Sequence, residues 1–274
     1  MHISYYFILI IFRLSRYCLM ISQYIEVTIL AFIQGISEFI PISSSGHLII
    51  ISEIHNFSVG SLQLDICFHL GSLFAIIFYF RKDLFDLKNN NKLLKLIIIG
   101  SIPIIIFGYI LHSTELIYLL RNIKVIAWTT LFFGIILFFA DQQKFDKNIS
   151  ANLNIKSIIF IGLFQILALV PGVSRAGIAL TAARFLKFNR VDSSKISFLL
   201  SIPALSGASF LGLKDAFNQP IEINYLIITS IILSFLFSYI TVKFFINYIN
   251  KFSLNIFVIY RIFIAFILFS IIYF

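Results

Sequence analysis

The sequence predicts an all-α polytopic membrane protein built as an inverted repeat, and three observations lead there. The 274 residues are 60% hydrophobic with a mean hydropathy of +1.00. Runs at 96–111, 123–140 and 225–246 are long and nearly uncharged, as helices that cross a bilayer require. Two stretches break the pattern: QGISEFIPISSSGHL at 34–48 and QILALVPGVSRAGIAL at 165–180. In hydrocarbon an unpaired backbone N–H or C=O costs several kcal/mol, so Pro and Gly at such depth belong where protein encloses a polar cavity.

Taken in order, residues 1–19 contain an apolar run at 5–12 followed by Arg13 and Arg16. They lack the charge order and small-residue cleavage site of a secretory signal. Met20 opens a segment that reads smoothly into Gln34. Residues 1–19 are therefore expected to be an extension, and 20–274 a single membrane domain. A half-helix is expected over 22–37, a break around Pro41, and a second half-helix over 44–54. Spans follow near 62–80, 92–111 and 122–140. A second broken pair covers 154–169 and 174–187, and spans near 192–213, 222–247 and 253–273 complete the chain.

The same array, a broken pair and three spans, thus occurs twice, at about 20–140 and 154–274. Setting Gln34 on Gln165 places Ser43 on Ser174, Ser44 on Arg175 and Gly46 on Gly177, with Pro41 and Pro171 one step out of register. An odd number of spans per half inverts the second half relative to the first. The formal charge of +9 fits this arrangement, because nearly all Lys and Arg fall in segments 81–95, 141–156, 187–195 and 243–251. Those segments share one side, which the positive-inside rule makes cytoplasmic. Arg121, Lys124 and Lys214 remain opposite, with Arg13 and Arg16 dissenting. Such clustering marks loops rather than a phosphate-tracking stripe, so no nucleic-acid partner is expected. Cys18 and Cys67 have neither metal-ligand nor redox spacing.

In this topology the two breaks approach each other near mid-membrane, carrying the polar residues. Gln34 and Glu38 stand four apart on one helix face. Ser44 and His47 stand three apart at the next half-helix start, so the histidine is placed to act on the hydroxyl. Ser43, four from His47, is nearly as good on spacing. The helix starts after Pro41 and Pro171 present free N–H groups to an anion, and Arg175 adds a planar fork suited to phosphate. Glu38 is open to three roles: binding a divalent cation, accepting a proton, or positioning Arg175 or His47. A purely structural Glu38–Arg175 pair is the plainer alternative. Arg261 is read as a partner for Glu38, a phosphate ligand or a structural group. His69, with Asp65 one turn earlier, is read either as part of a pair supporting the site from behind or, in preference, as lying at the outer interface. His55 and His112 are expected to face water near segment ends. Ser45, Ser52, Ser72 and Ser201 are read first as helix-packing serines.

At these residues the chain resembles the bacitracin-resistance type of undecaprenyl-diphosphatase. That family carries (E/Q)xxxE running into PxSSxGH, and a second motif of PGxSRSG type. They stand here as Gln34 to Glu38, Pro41 to His47, and Pro171 to Gly177, with FHLGSL at 68–73 and YRI at 260–262. The resemblance spans about 20–274. It implies hydrolysis of a polyprenyl diphosphate on the outer face of a bacterial plasma membrane, by a fold with two re-entrant pairs and six spans. It implies Ser44 as nucleophile, His47 as acid–base partner, Arg175 as phosphate clamp, and Glu38 with Gln34 as the site of a divalent cation, Mg²⁺ or Ca²⁺. Ser43, Ser45, Gly46, Gly172, Ser174 and Arg261 would line the substrate pocket. Ala176 and Ala179 depart from the hydroxyl residues common there, which removes two contacts to phosphate. Membrane lipids are the other expected partners, and a homodimer is left open. The competing class is a carrier of lipid phosphate, which needs the cationic clamp but no paired nucleophile and base.

Overall fold

The structure, a computed structural model, describes residues 2–44, 46–48, 51, 62–114, 117–216 and 225–273. Among these the regular elements are α1 (His2–Ser37), α2 (Leu62–Tyr79), α3 (Arg81–Phe85), α4 (Leu87–Ser113), α5 (Ile117–Leu120), α6 (Ile123–Asp141), α7 (Ile149–Asn152), α8 (Ile155–Ile166), α9 (Arg175–Phe185), α10 (Arg190–Ala216), α11 (Tyr225–Ile249) and α12 (Asn255–Tyr273). A 3₁₀ turn at Leu167–Leu169 ends α8. The backbone of α1 runs through Met20 without interruption. The protein is all-α and polytopic, and among the described residues six helices are long and apolar enough to cross a membrane.

Local chemistry explains where the helices start. Asn122, Asn154 and Ser174 lie outside the helical region and accept a hydrogen bond from the backbone N–H three residues on, beginning α6, α8 and α9. Asp86 does the same for α4. Each such cap satisfies one of the donors a helix leaves unpaired at its first turn.

The six apolar helices differ from the six spans expected. The stretch Met20–Ser37 of α1 is long enough by itself, whereas α2 contributes only a shorter apolar stretch, Gln63–Tyr79. At ~1.5 Å rise per residue both lie near the ~30 Å hydrocarbon thickness, so length does not separate a half-helix from a span here. The expected second half-helix is helical at 44, 46–48 and 51; its remainder to 54, with Ser45, Ser52 and His55, lies outside the described residues.

Small residues draw the helices together, as expected where lipid removes the usual hydrophobic drive. Ser72 of α2 is within 3.2 Å of Ser234 and 2.9 Å of Ser238 on α11, and Ser234 donates to the Phe68 carbonyl at 2.6 Å. A β-carbon on Gly162 of α8 would stand 2.1 Å from the Gly100 carbonyl oxygen of α4, so those backbones touch.

Basic segments meet at one end of the bundle. Buried Asp141 accepts from Arg190 at 2.7 and 2.9 Å and from the Leu254 backbone at 3.0 Å. Arg184 donates to the carbonyls of Asp141, Gln143 and Phe188. Lys195 reaches Asp83 at 2.5 Å. These contacts place residues 81–85, 141–143, 184–195 and 254 together, so three of the four lysine- and arginine-rich segments and the chain just past the fourth share a side.

Candidate active site

Two interruptions of the helical chain build the site. After α1 the backbone turns through residues 38–42 and becomes helical again at Ser44. After the 3₁₀ turn it passes through Val170 to Ser174 before α9. Ser43 and Ser174, each just before the renewed helix, have φ of 77° and 71°, and Gly172 has φ of 90°. Left-handed backbone at a non-glycine residue costs energy that the surroundings must repay. Here each serine hydroxyl accepts from the N–H three residues ahead, Gly46 at 3.4 Å and Gly177 at 3.0 Å.

Arg261 of α12 joins the two breaks. It is fully buried and donates to five carbonyls: Pro41, Gly172 and Val173 in the breaks, and Thr129 and Thr130 in α6. A guanidinium has five N–H donors, and the contacts number the same. Of the three readings the sequence left for Arg261, the geometry is that of the structural one. Thr129 adds a hydroxyl bond to the Pro171 carbonyl at 2.7 Å. A β-carbon on Gly172 would lie 2.1 Å from that Thr129 hydroxyl, which is why glycine occupies the turn.

On this platform Gln34, Glu38, Ser44 and Arg175 converge. Glu38 is buried, and its Oε1 pairs with Arg175, whose side chain is 17% exposed. Its Oε2 accepts from the Ser44 hydroxyl at 2.7 Å and from Gln34 Nε2 at 2.9 Å. The carboxylate therefore underlies a partly accessible hydroxyl and a partly accessible arginine. Uncompensated, a carboxylate at this depth would be prohibitively costly; paired and hydrogen-bonded it is sustained.

His47 lies elsewhere than its spacing suggested. Its Nδ1 is 2.6 Å from the Ser43 carbonyl and its Nε2 is 2.6 Å from the Tyr260 hydroxyl, with the two rings stacked. A carbonyl can only accept, so Nδ1 carries the proton and Nε2 accepts from Tyr260. The Ser44 hydroxyl points to Glu38 instead. Sequence reasoning also missed two neighbours. Tyr260 was noted only as flanking Arg261, and of the two readings of His69 the interface was preferred over a supporting place beside the site. In the structure His69 Nδ1 stands 3.0 Å from Gln34 Nε2 and 3.7 Å from Glu38 Oε2. The one signal for His69 was its place in the FHLGSL match.

The chain matches the family model described as bacitracin resistance protein BacA over residues 27–267. It belongs to that family. Among curated relatives, the undecaprenyl-diphosphatase of Pelagibacter ubique is 66% identical over 255 residues, covering 93% of this chain and all of the relative. The undecaprenyl-diphosphatase of Elusimicrobium minutum is 39% identical, over 87% of this chain and 94% of its own. That of Alcanivorax borkumensis is 38% identical, over 87% and 95%. Residues 27–267 take in both breaks, so the match covers every residue of the cluster just described.

The sequence resemblance implied a divalent cation, and the donors here are oxygen-rich but few. Among the described residues no three His, Cys, Asp or Glu side chains gather as a metal centre. The fit rests on another feature: Gln34 Oε1 is buried without a hydrogen-bond partner, one helical turn from Glu38. A buried amide oxygen one helical turn from a carboxylate is of the donor type that suits a hard cation, which takes the rest of its shell from substrate phosphates and water.

Proposed function

We infer that this chain hydrolyses undecaprenyl diphosphate to undecaprenyl phosphate and inorganic phosphate. The observation that carries this reading is the Ser44 hydroxyl donating to a buried Glu38 whose other oxygen pairs with Arg175. Membership of the BacA family and the names of the relatives support it. The product is the lipid carrier of peptidoglycan synthesis, and its recycling confers bacitracin resistance.

The steps follow from the groups present. The prenyl tail stays in the bilayer while the diphosphate reaches Arg175, whose fork binds the terminal phosphoryl oxygens and offsets their charge. Glu38 takes the Ser44 proton as Oγ attacks phosphorus, and the bond to the bridging oxygen breaks, releasing undecaprenyl phosphate. Water then cleaves the phosphoserine, Ser44 recovers its proton, and inorganic phosphate leaves. A water held at the Ser44 position could deliver its oxygen directly with the same base. His47, fixed on the Ser43 carbonyl, holds the strained turn that aims Ser44, and its Nε2 accepts a hydrogen bond from the Tyr260 hydroxyl. Ser43, Gly46, Gly172 and Ser174 shape the pocket wall through the two turns. Glu38 and Gln34 Oε1 would hold Mg²⁺ or Ca²⁺, which when bound adds positive charge opposite the diphosphate.

The proposal extends to architecture. Residues 20–274 form one membrane domain of two inverted halves, about 20–140 and 154–274, each opening with a re-entrant pair. The matched positive-φ serines and the fully buried Gln34 and Gln165 support this. The basic end is cytoplasmic and the site opens outward, in a bacterial plasma membrane. A hydroxyl bonded to a carboxylate favours hydrolysis over transport, since a carrier has no use for an activated nucleophile.

The test is phosphate release from undecaprenyl diphosphate by detergent-purified protein, beside Ser44→Ala, Arg175→Ala and a chelator control. Metal-dependent release lost in both variants supports the reading. No release from well-folded wild-type protein overturns it and brings the carrier forward.

A further inference from the structure

We propose that His69 is a positioning residue of the reaction centre, its Nδ1 lone pair accepting a hydrogen bond from Gln34 Nε2 and so fixing which way the Gln34 amide faces. This rests on the reading that Gln34 and Glu38 belong to that centre.

The Gln34 amide is wholly buried and its nitrogen has two hydrogens. One acceptor, Glu38 Oε2, lies at 2.9 Å and the other, His69 Nδ1, at 3.0 Å. Turned over, the amide would set its oxygen against a carboxylate that has no proton to give. The observed orientation therefore satisfies both N–H groups, but only while His69 keeps its proton on Nε2. With the proton on Nδ1, His69 would face the Gln34 N–H as donor against donor and turn to Glu38 Oε2, 3.7 Å away.

The consequence reaches Ser44. Glu38 Oε2 receives both Gln34 Nε2 and the Ser44 hydroxyl. An amide released from His69 is free to rotate, and its oxygen would then repel the carboxylate that orients the nucleophile. Fixing the nitrogen toward His69 and Glu38 also leaves Gln34 Oε1, buried and without a partner, as the amide's free acceptor within the cluster. His69 thus acts through Gln34 and Glu38, three hydrogen bonds from the Ser44 hydroxyl.

Histidine-¹⁵N-labelled protein in lipid bilayers tests this by solid-state NMR at about pH 8, where a free imidazole is neutral. The His69 signals are identified by their loss in His69→Asn. A ring protonated on Nε2 with its lone pair on Nδ1 is expected; a proton on Nδ1 overturns the proposal. Kinetics supply the second arm. His69→Asn sets an amide oxygen near the Nδ1 position and should keep kcat within about threefold. His69→Leu should lower kcat about tenfold, the scale of one lost hydrogen bond, with KM within about twofold. In a Gln34→Leu background the same change should add no further loss, because the coupling partner is gone. Equal losses in the Asn and Leu variants, or an undiminished loss in the Gln34→Leu background, overturn it. If His69→Leu fails to fold, or no diphosphate is hydrolysed at all, the tautomer still decides.

Discussion

Ser43 and Ser174 both have positive φ, 77° and 71°, and each turns its hydroxyl to the N–H three residues ahead. Alanine at either position keeps the strain and loses the cap, so Ser43→Ala and Ser174→Ala should each cost about 1 kcal/mol. Glycine loses the cap but relieves the strain and should be nearly neutral. Thermal unfolding in detergent compares the pairs; glycine as damaging as alanine would count against this account.

The two arginines of the site should fail in different ways. Arg261→Lys gives up most of five buried carbonyl contacts and leaves acceptors stranded, at about 1–3 kcal/mol for each unsatisfied group. Folded yield and melting temperature should both fall. Arg175→Lys retains a positive charge beside Glu38 but loses the fork, so folded protein should remain while phosphate release drops at least about 10²-fold. Size-exclusion profiles beside activity separate the two.

Glu38→Gln removes both the base for Ser44 and the partner of Arg175, and should cost at least about 10²-fold in kcat. His47→Ala should reach a similar scale, since it frees the Ser43 turn and empties the position facing Tyr260. Tyr260→Phe deletes one hydroxyl, and a drop of about fivefold to tenfold in kcat is expected, with KM little changed. Steady-state kinetics on the three variants checks the order; Tyr260→Phe as severe as His47→Ala would assign Tyr260 a larger part.

Asp141 offers a control remote from the chemistry. It is buried, pairs with Arg190 and caps Leu254. Asp141→Ala strands Arg190 and should destabilise the protein by about 3–5 kcal/mol. The kcat of whatever fraction folds should stay near wild type when activity is normalised to folded protein.

Much of the fold was legible because membrane helices advertise themselves. The runs expected at 122–140 and 253–273 became Ile123–Asp141 and Asn255–Tyr273, and the break expected between 169 and 174 lies there. Glu38 and Arg175 were legible as a pair worth explaining, since neither belongs in hydrocarbon alone. The Ser44–His47 contact was not: spacing placed them on one face, yet each side chain found a better partner outside that face. For His69 the interface was preferred to a supporting place, because nothing in its own helix revealed that Gln34 would stand beside it.

The sequence by itself determined the all-α membrane character, the place of most helices, the two interruptions and the set of polar residues they carry. These depend on local properties: hydropathy along the chain, capping side chains, and the inability of Pro to continue a helix. Only the tertiary structure decided who meets whom. Glu38 takes Arg175 and Ser44, His47 takes Tyr260, and Arg261 ties both breaks to α6. Those choices depend on how closely helices pack, which small residues permit but periodicity does not encode. A buried polar group bonds to whatever packing brings within about 3 Å, however far away it lies in the chain.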